Sequence, residues 1–280
     1  YLIMIIWLAS YPKSGNTWMW FFIKSYFNPP SKKFSLNHDM DDTHLLETFP
    51  TERGFDQLKI KYQDFFEISK NWINLQSLIN LNNKTNFLKT HNAMCTVNNS
   101  KFTDIHNTLG AIHIVRDPRD VLVSYSSYMS EDIDKTLEKL LSDDTYEGGT
   151  FKDKFYRKSI MGSWSGHYNS WKNYQSKETL LVKYEDMVNK SNSTFLKVLN
   201  YLKKINKIGV DQNKMNHAIE ETSFENLKKL EISEGFKVNP SKKPFFRKGV
   251  VGDWKEKLTK NQTQKIEKAF KYEMIELGYL

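Results

Sequence analysis

One junction near the start constrains this chain most. The apolar run "YLIMIIWLA" (residues 1–9) passes through "SYPKSGNT" directly into the aromatic stretch "WMWFFI". The run predicts a strand over about 2–9 and the aromatic stretch a helix over about 17–27, joined by a glycine-containing turn. Strand, turn and helix N-terminus form a ready anion site, because unpaired backbone N–H groups converge there with the helix dipole. The same pattern recurs. "GAIHIV" (110–115) precedes a helix beginning near Pro118, and "ETLLVKYE" (178–185) precedes one at about 192–204. Continuous apolar runs rather than strict alternation imply strands buried on both faces, as in a parallel sheet covered by helices. With no internal repeat and no dividing linker, residues 1–280 read as a single α/β domain.

Composition narrows the partners. Forty-one Lys and Arg against 33 Asp and Glu give a net charge of +8. That balance suits a nucleotide, phosphate, sulfate, nucleic acid or membrane surface; a merely solvated lysine face accounts for it equally well. The single cysteine, Cys95, excludes an intramolecular disulfide framework and suggests a reducing compartment. The opening apolar run is far short of the roughly 20 residues that span a bilayer. It has no basic leader or small-residue cleavage site, so it reads as a strand and not as a signal peptide.

Four segments carry chemistry. Against the Walker A pattern G-x-x-x-x-G-K-[ST], Gly15 takes the second glycine, Asn16 replaces the lysine, Thr17 matches the hydroxyl and Ser10 replaces the first glycine. The lysine sits inside the loop, at Lys13. A phosphate nest remains, poorly suited to a metal-dependent ATPase; a hydroxyl-capped structural turn is the alternative. In "IHIVRDPRDVLVSYSSY", Arg116 stands where a parallel strand would end, and Ser124 lies eight residues on, inside the next helix. Asp117 reads as the N-cap and Pro118 as the first helical residue. A fixed guanidinium beyond a strand end suits a second phosphate, while pairing with Asp117 or Asp120 is the plain alternative. In "FLKTHNA", an extended backbone would put Lys89 and His91 on one side, where they suit a charge stabiliser and a general base; a structural histidine is the plain alternative. In "FFRKGVVGDWKEKLT", adjacent Arg247 and Lys248 followed by Gly249 suit a clamp on a phosphate, or a basic surface loop. Residues 235–253 read as a long clamp or lid loop.

In this order the four segments resemble the PAPS-dependent sulfotransferases of the cytosolic type. The likeness runs from residue 5 to about 260 and includes "YPKSGNTW", "VRDPRDVLVSY", "KYEDM" (183–187), "ETSFENLKK" (221–229) and "RKGVVGDWK". It implies a P-loop NTPase-like, three-layer fold with a central parallel sheet flanked by helices. It implies transfer of a sulfuryl group from 3′-phosphoadenosine 5′-phosphosulfate (PAPS) to a hydroxyl or amine, leaving 3′,5′-bisphosphoadenosine (PAP). By the same likeness Lys13 contacts the sulfuryl group and bridging oxygen, while Ser14, Gly15, Asn16 and Thr17 hold the 5′-phosphate. Arg116, Ser124, Arg247, Lys248 and Gly249 bind the 3′-phosphate, and Trp18, Tyr184, Thr222 and Phe224 surround the adenine. His91 is the base and Lys89 stabilises charge, with Ser124 counted in the catalytic group. No metal is implied; nor are a nucleic-acid partner or stable membrane insertion, and the location is cytoplasmic.

The sequence departs from the family pattern at three places. Asn16 stands where many members carry threonine. The step from Lys13 to His91 is long, and residues 28–86 read as the region that builds acceptor specificity. Of the family's dimer motif K-x-x-x-T-V-x-x-x-E, Lys255 and Thr259 fit, but Lys260 and Gln264 replace the valine and glutamate; a homodimer stays open. So do an ATP–Mg²⁺ small-molecule kinase and a non-catalytic anion or nucleic-acid binder. Ser130 is expected to cap "EDIDKTLEKLL", Asp211 to cap "QNKMNHAIEET", and 260–277 to be one surface helix with Ile266, Ala269, Phe270 and Ile275 inward. Trp20, Phe21, Phe22, Tyr26 and Phe27 fit either an acceptor pocket or the core, and most are expected in the core.

Overall fold

The computed structural model describes residues 4–28, 33–37, 45–50, 65–82, 84–147, 159–237, 239 and 243–280. Five strands form its central sheet: β1 (Ile5–Ser10), β2 (Leu45–Thr48), β3 (Asn86–Thr90), β4 (Thr108–Val115) and β5 (Thr179–Lys183). They are all parallel, in the order β2-β3-β1-β4-β5. β1 is central, with Ala9 opposite Thr90 of β3 and His113 of β4. Every residue of β1 and β4 is buried, as continuous apolar runs covered on both faces require.

Period-two alternation divides the strand side chains between two layers. Ile6, Leu8, Ile112, Ile114 and Val182 pack against α1 (Asn16–Phe27), α4 (Ser191–Asn206) and α5 (Gln212–Glu221). Ile5, Trp7, Ala9 and Ala111 pack on the other face against Trp72, Phe102 and Trp171. The remaining helices that concern the site are α2 (Pro118–Met129), α3 (Tyr184–Asn189) and α6 (Phe224–Glu234). Phe22 and Tyr26 of α1 are buried in the first of these layers and Phe21 in a separate cluster with Phe34, Leu227 and Phe246, while Phe27 is partly exposed. Among the described residues no helix is long and apolar enough to cross a membrane.

The expected caps at Asp117 and Asp211 are present, with Pro118 in the first turn. Ser130 does not cap the following helix. It closes α2 in the left-handed region, its N–H turned back to the carbonyls of Ser126 and Ser127, and Asp132 caps Ile133–Leu141. The carboxylate accepts two first-turn N–H groups, which leaves the hydroxyl no cap to make. β5 ends at Lys183, and Tyr184 already starts α3. The C-terminal stretch is two helices, Lys260–Ala269 and Lys271–Glu276, broken at Phe270. Ile266 and Phe270 face inward as expected, but Ala269 is exposed, and the break turns Met274 rather than Ile275 inward, so Ile275 is exposed too. Of residues 235–253, those described form no helix or strand.

The sheet's main consequence is positional. Four neighbouring strands end at one edge, each followed at once by a segment singled out above: Tyr11–Gly15 after β1, His91 after β3, Arg116 after β4 and Tyr184 after β5. In open α/β sheets this carboxyl edge is where ligands bind.

Candidate active site

The loop after β1 is held in a shape that ordinary residues resist. Lys13 has φ 65° and Gly15 has φ 98°. Gly15 caps α1, and a Cβ there would lie 2.7 Å from the Tyr184 ring. The loop therefore needs glycine both for its left-handed backbone and for the ring pressed against it. Asn16 is buried and its amide donates to Leu8 O (2.8 Å), Ser10 Oγ (3.2 Å) and Thr90 O (3.4 Å). The side chain thus ties the ends of β1 and β3 together instead of reaching towards an anion. The Lys13 ammonium lies 4.2 Å from the Tyr128 ring centroid and 3.9 Å from that of Phe245. Two aromatic faces at this range hold a cation without neutralising it.

At the end of β3, Lys89 Nζ donates to Thr17 Oγ1 at 2.9 Å. His91 Nδ1 lies 2.7 Å from the carbonyl of Ser10. A carbonyl only accepts, so the proton sits on Nδ1, and in the neutral ring the basic lone pair is at Nε2. The expected pairing of Lys89 and His91 on one side holds, since both line the same cleft.

Arg116 joins the two halves of the site. Its Nη1 donates to Lys13 O (3.1 Å) and its Nη2 to Val250 O (3.2 Å), while the guanidinium lies 4.2 Å above the Tyr184 ring. It does not pair with Asp117, which binds Arg119, or with Asp120, whose carboxylate accepts from Gly252 N and Trp254 N. Its Nε is buried and makes no hydrogen bond. Arg247 and Lys248 bind Asp253 at 2.6 and 2.5 Å. Burial would raise the Asp253 carboxyl, but hydrogen bonds from Lys248 and Arg247 outweigh it and hold the group below the usual range. A Cβ on Gly249 would fall 2.3 Å from the Phe224 ring, at φ 66°. Lys13, Lys89, His91, Arg116, Arg247, Lys248 and Gly249 border one cleft of about 950 Å³.

A family model described as the sulfotransferase domain matches residues 5–278. The chain belongs to the sulfotransferase family. It is 28% identical over 178 residues to the amine sulfotransferase of Oryctolagus cuniculus, covering 60% of this chain and 56% of that protein. With sulfotransferase 1B1 of Canis lupus familiaris identity is 26% over 274 residues, covering 95% and 82%. The chain thus spans just over half the length of several curated relatives it matches, and more of others. Two solved structures share its P-loop-like α/β fold. One is a mouse sulfotransferase complexed with PAP (TM-score 0.58, 22% identity, 97% of this chain and 85% of that one). The other is retinol dehydratase in a complex with retinol and PAP (TM-score 0.61, 16% identity, 98% and 82%).

In this sulfotransferase-family chain the cleft brings together Lys13, Gly15, Asn16, Thr17, Trp18, Lys89, His91, Arg116, Ser124, Tyr184, Phe224, Arg247, Lys248 and Gly249. Two expected residues are placed otherwise. Ser14 is fully buried, beside Tyr11, His113 and His167, and its hydroxyl makes no hydrogen bond. Thr222 is buried too, its hydroxyl donating to Ala218 O at 2.6 Å, so Ser223 faces the cleft in its stead. Sequence reasoning missed Tyr128 and Phe245. Tyr128 had a signal, since it lies one turn beyond Ser124 on the same face of α2. Asp120 and Asp253 had none, because their partners are set by tertiary folding. Among the described residues no cluster of three or more His, Cys, Asp or Glu is placed to hold a metal.

Proposed function

We propose that this chain is a sulfotransferase that binds PAPS in the cleft and passes its sulfuryl group to a hydroxyl or amine of a small-molecule acceptor. The observation that carries the reading is Arg116. By bonding Lys13 O and Val250 O it makes one site of the two cationic groups, which a nucleotide with phosphates at both its 5′ and 3′ ends needs. The residues fit such a donor. Arg116 Nε is a buried donor with no partner, and the backbone at Gly15 and Gly249 is bare where a side chain would intrude. Trp18, Tyr184, Ser223 and Phe224 offer aromatic and small walls for a base. Arg116, Ser124, Arg247, Lys248 and Gly249 would hold the 3′-phosphate. The N-terminus of α1 with Thr17 would hold the 5′ end, where Asn16 and Ser14 contribute backbone and framing rather than side-chain contacts.

The donor, when bound, supplies an electrophilic sulfur and a phosphate leaving group. His91 Nε2 accepts the acceptor's proton, and the Ser10 carbonyl on Nδ1–H stabilises the imidazolium that forms. Lys13 offsets charge growing on the leaving side, held by Tyr128 and Phe245. Lys89 does the same for the equatorial oxygens from its place on Thr17. Thr48, from the stretch read as the acceptor region, also borders the cleft. A single domain and a cytoplasmic setting belong to the same proposal. A homodimer does not gain from Thr259, which is spent as the N-cap of a capping box with Gln262.

Turnover of labelled PAPS against phenols, sterols, aliphatic alcohols, amines and glycans tests the proposal. Acceptor-dependent formation of a sulfated product and PAP is the expected result. A protein that binds PAP but transfers to none of these classes would be a binding protein instead.

A further inference from the structure

Three carboxylates bond the clamp segment where a phosphate site should welcome few: its own Asp253, Asp120 from α2 and Glu231 from α6. Asp253 is almost wholly buried, and each of its oxygens takes one cation: Oδ2 the Arg247 guanidinium at 2.6 Å, Oδ1 the Lys248 ammonium at 2.5 Å. Both cations are partly exposed and border the cleft. A guanidinium and an ammonium each have further donors beyond the one bonded here. Asp253 is in turn fixed from α2. Asp120 accepts from Gly252 N (2.7 Å) and Trp254 N (3.0 Å), the two amides that flank Asp253. At the other end of the segment Glu231 accepts from Phe245 N and Phe246 N.

We propose that Asp253, fixed by Asp120, is a positioning residue that aims Arg247 and Lys248 into the cleft and thereby sets selectivity for a 3′-phosphate. A competing anion would have to lie in the cleft and block the cations. Asp253 lies behind them instead, so the pair keeps a net positive charge directed outwards. Asp120 lies one turn before Ser124 on α2, so one helix both supplies a phosphate contact and braces the clamp that supplies Arg247, Lys248 and Gly249. The inference rests on the proposed reading that Arg247 and Lys248 meet a 3′-phosphate.

Calorimetric titration of wild type, Asp253→Asn and Asp120→Asn with PAP and with AMP, which lacks the 3′-phosphate, tests it. Wild type is expected to prefer PAP. Asp253→Asn should lose about 10- to 100-fold in PAP affinity, the scale of hydrogen bonds to charged groups, with AMP affinity within about threefold. Asp120→Asn should show the same selective loss, and it carries the test if Asp253→Asn does not fold. Unchanged or tighter PAP binding in the variants, or equal loss of both nucleotides, overturns the inference. A wild type without preference for PAP overturns the underlying reading instead, so the two failures are distinguishable.

Discussion

At the residue scale one proton decides the chemistry. The 2.7 Å contact between His91 Nδ1 and Ser10 O fixes the ring's tautomer, so the imidazole presents its basic nitrogen without any change of protonation. His91→Ala should therefore lower turnover by about 10²–10⁴ and leave PAP affinity unchanged, because the ring is assigned no phosphate contact. A loss below tenfold, with calorimetry showing intact binding, would remove His91 as the base. Arg116→Ala should act first on binding. It should weaken PAP far more than AMP, and it should also loosen the loop at Lys13 O, so turnover at saturating donor falls as well. The ring faces of Tyr128 and Phe245 hold the Lys13 cation beside the cleft.

At the element scale the clamp is a braced segment rather than a bare loop. Gly249 lets its backbone lie on the Phe224 ring at a positive φ. Gly249→Ala should therefore cost about 1–3 kcal/mol through backbone strain and displacement of the ring, read as a lower Tm and roughly tenfold or more weaker PAP binding. Gly209→Ala is the control, because a Cβ there meets nothing within 4 Å; its Tm should stay within about 1 °C of wild type. The clamp also marks how far the sequence could be read. Its cations were legible, since adjacent Arg247 and Lys248 before a glycine are a local pattern. The bonds that aim them were not: Asp120 and Gly252 lie 132 residues apart, and no spacing rule joins them. Local signals failed similarly at Ser130, where a better capping carboxylate stood two residues on, and at Asn16, whose amide serves the strand ends.

At the scale of the whole molecule the parallel order β2-β3-β1-β4-β5 gathers the segments after β1, β3, β4 and β5 at one edge, and the clamp joins them through the Arg116 bond to Val250 O. That convergence was legible where an apolar run led into a chemical segment, at Lys13, Arg116 and Tyr184, whereas the clamp follows helix α6 and carried no such signal. Behind the edge lies a feature that no motif signalled. His113 and His167 are buried with ring centroids 5.9 Å apart. Burial holds His113 neutral down to about 3. His167 is lowered as well, first by burial and then by His113 and His91. Unfolded, each would titrate near about 6.5. Above that pH both states are neutral and stability does not change. Below it the unfolded chain binds protons that the folded chain refuses, so stability falls as pH falls, by about 1.4 kcal/mol per unit for each histidine. Thermal melts should thus lose Tm steadily from pH 6.5 to 5, and His113→Gln should flatten the slope. An unchanged slope would place the acid sensitivity elsewhere.

The central claim is a cleft built for a nucleotide phosphorylated at both ends, and ligand-dependent melting tests it most directly. The wild-type chain is melted alone and with PAP, AMP, ATP–Mg²⁺ or a generic oligonucleotide. At about 100 times the dissociation constant a ligand adds about 2.7 kcal/mol, or roughly 5–10 °C for a domain of this size. PAP is predicted to give a shift of that order, AMP and ATP–Mg²⁺ much less, and the oligonucleotide none that survives raised salt. No shift with PAP, or a larger one with ATP–Mg²⁺, would contradict the account.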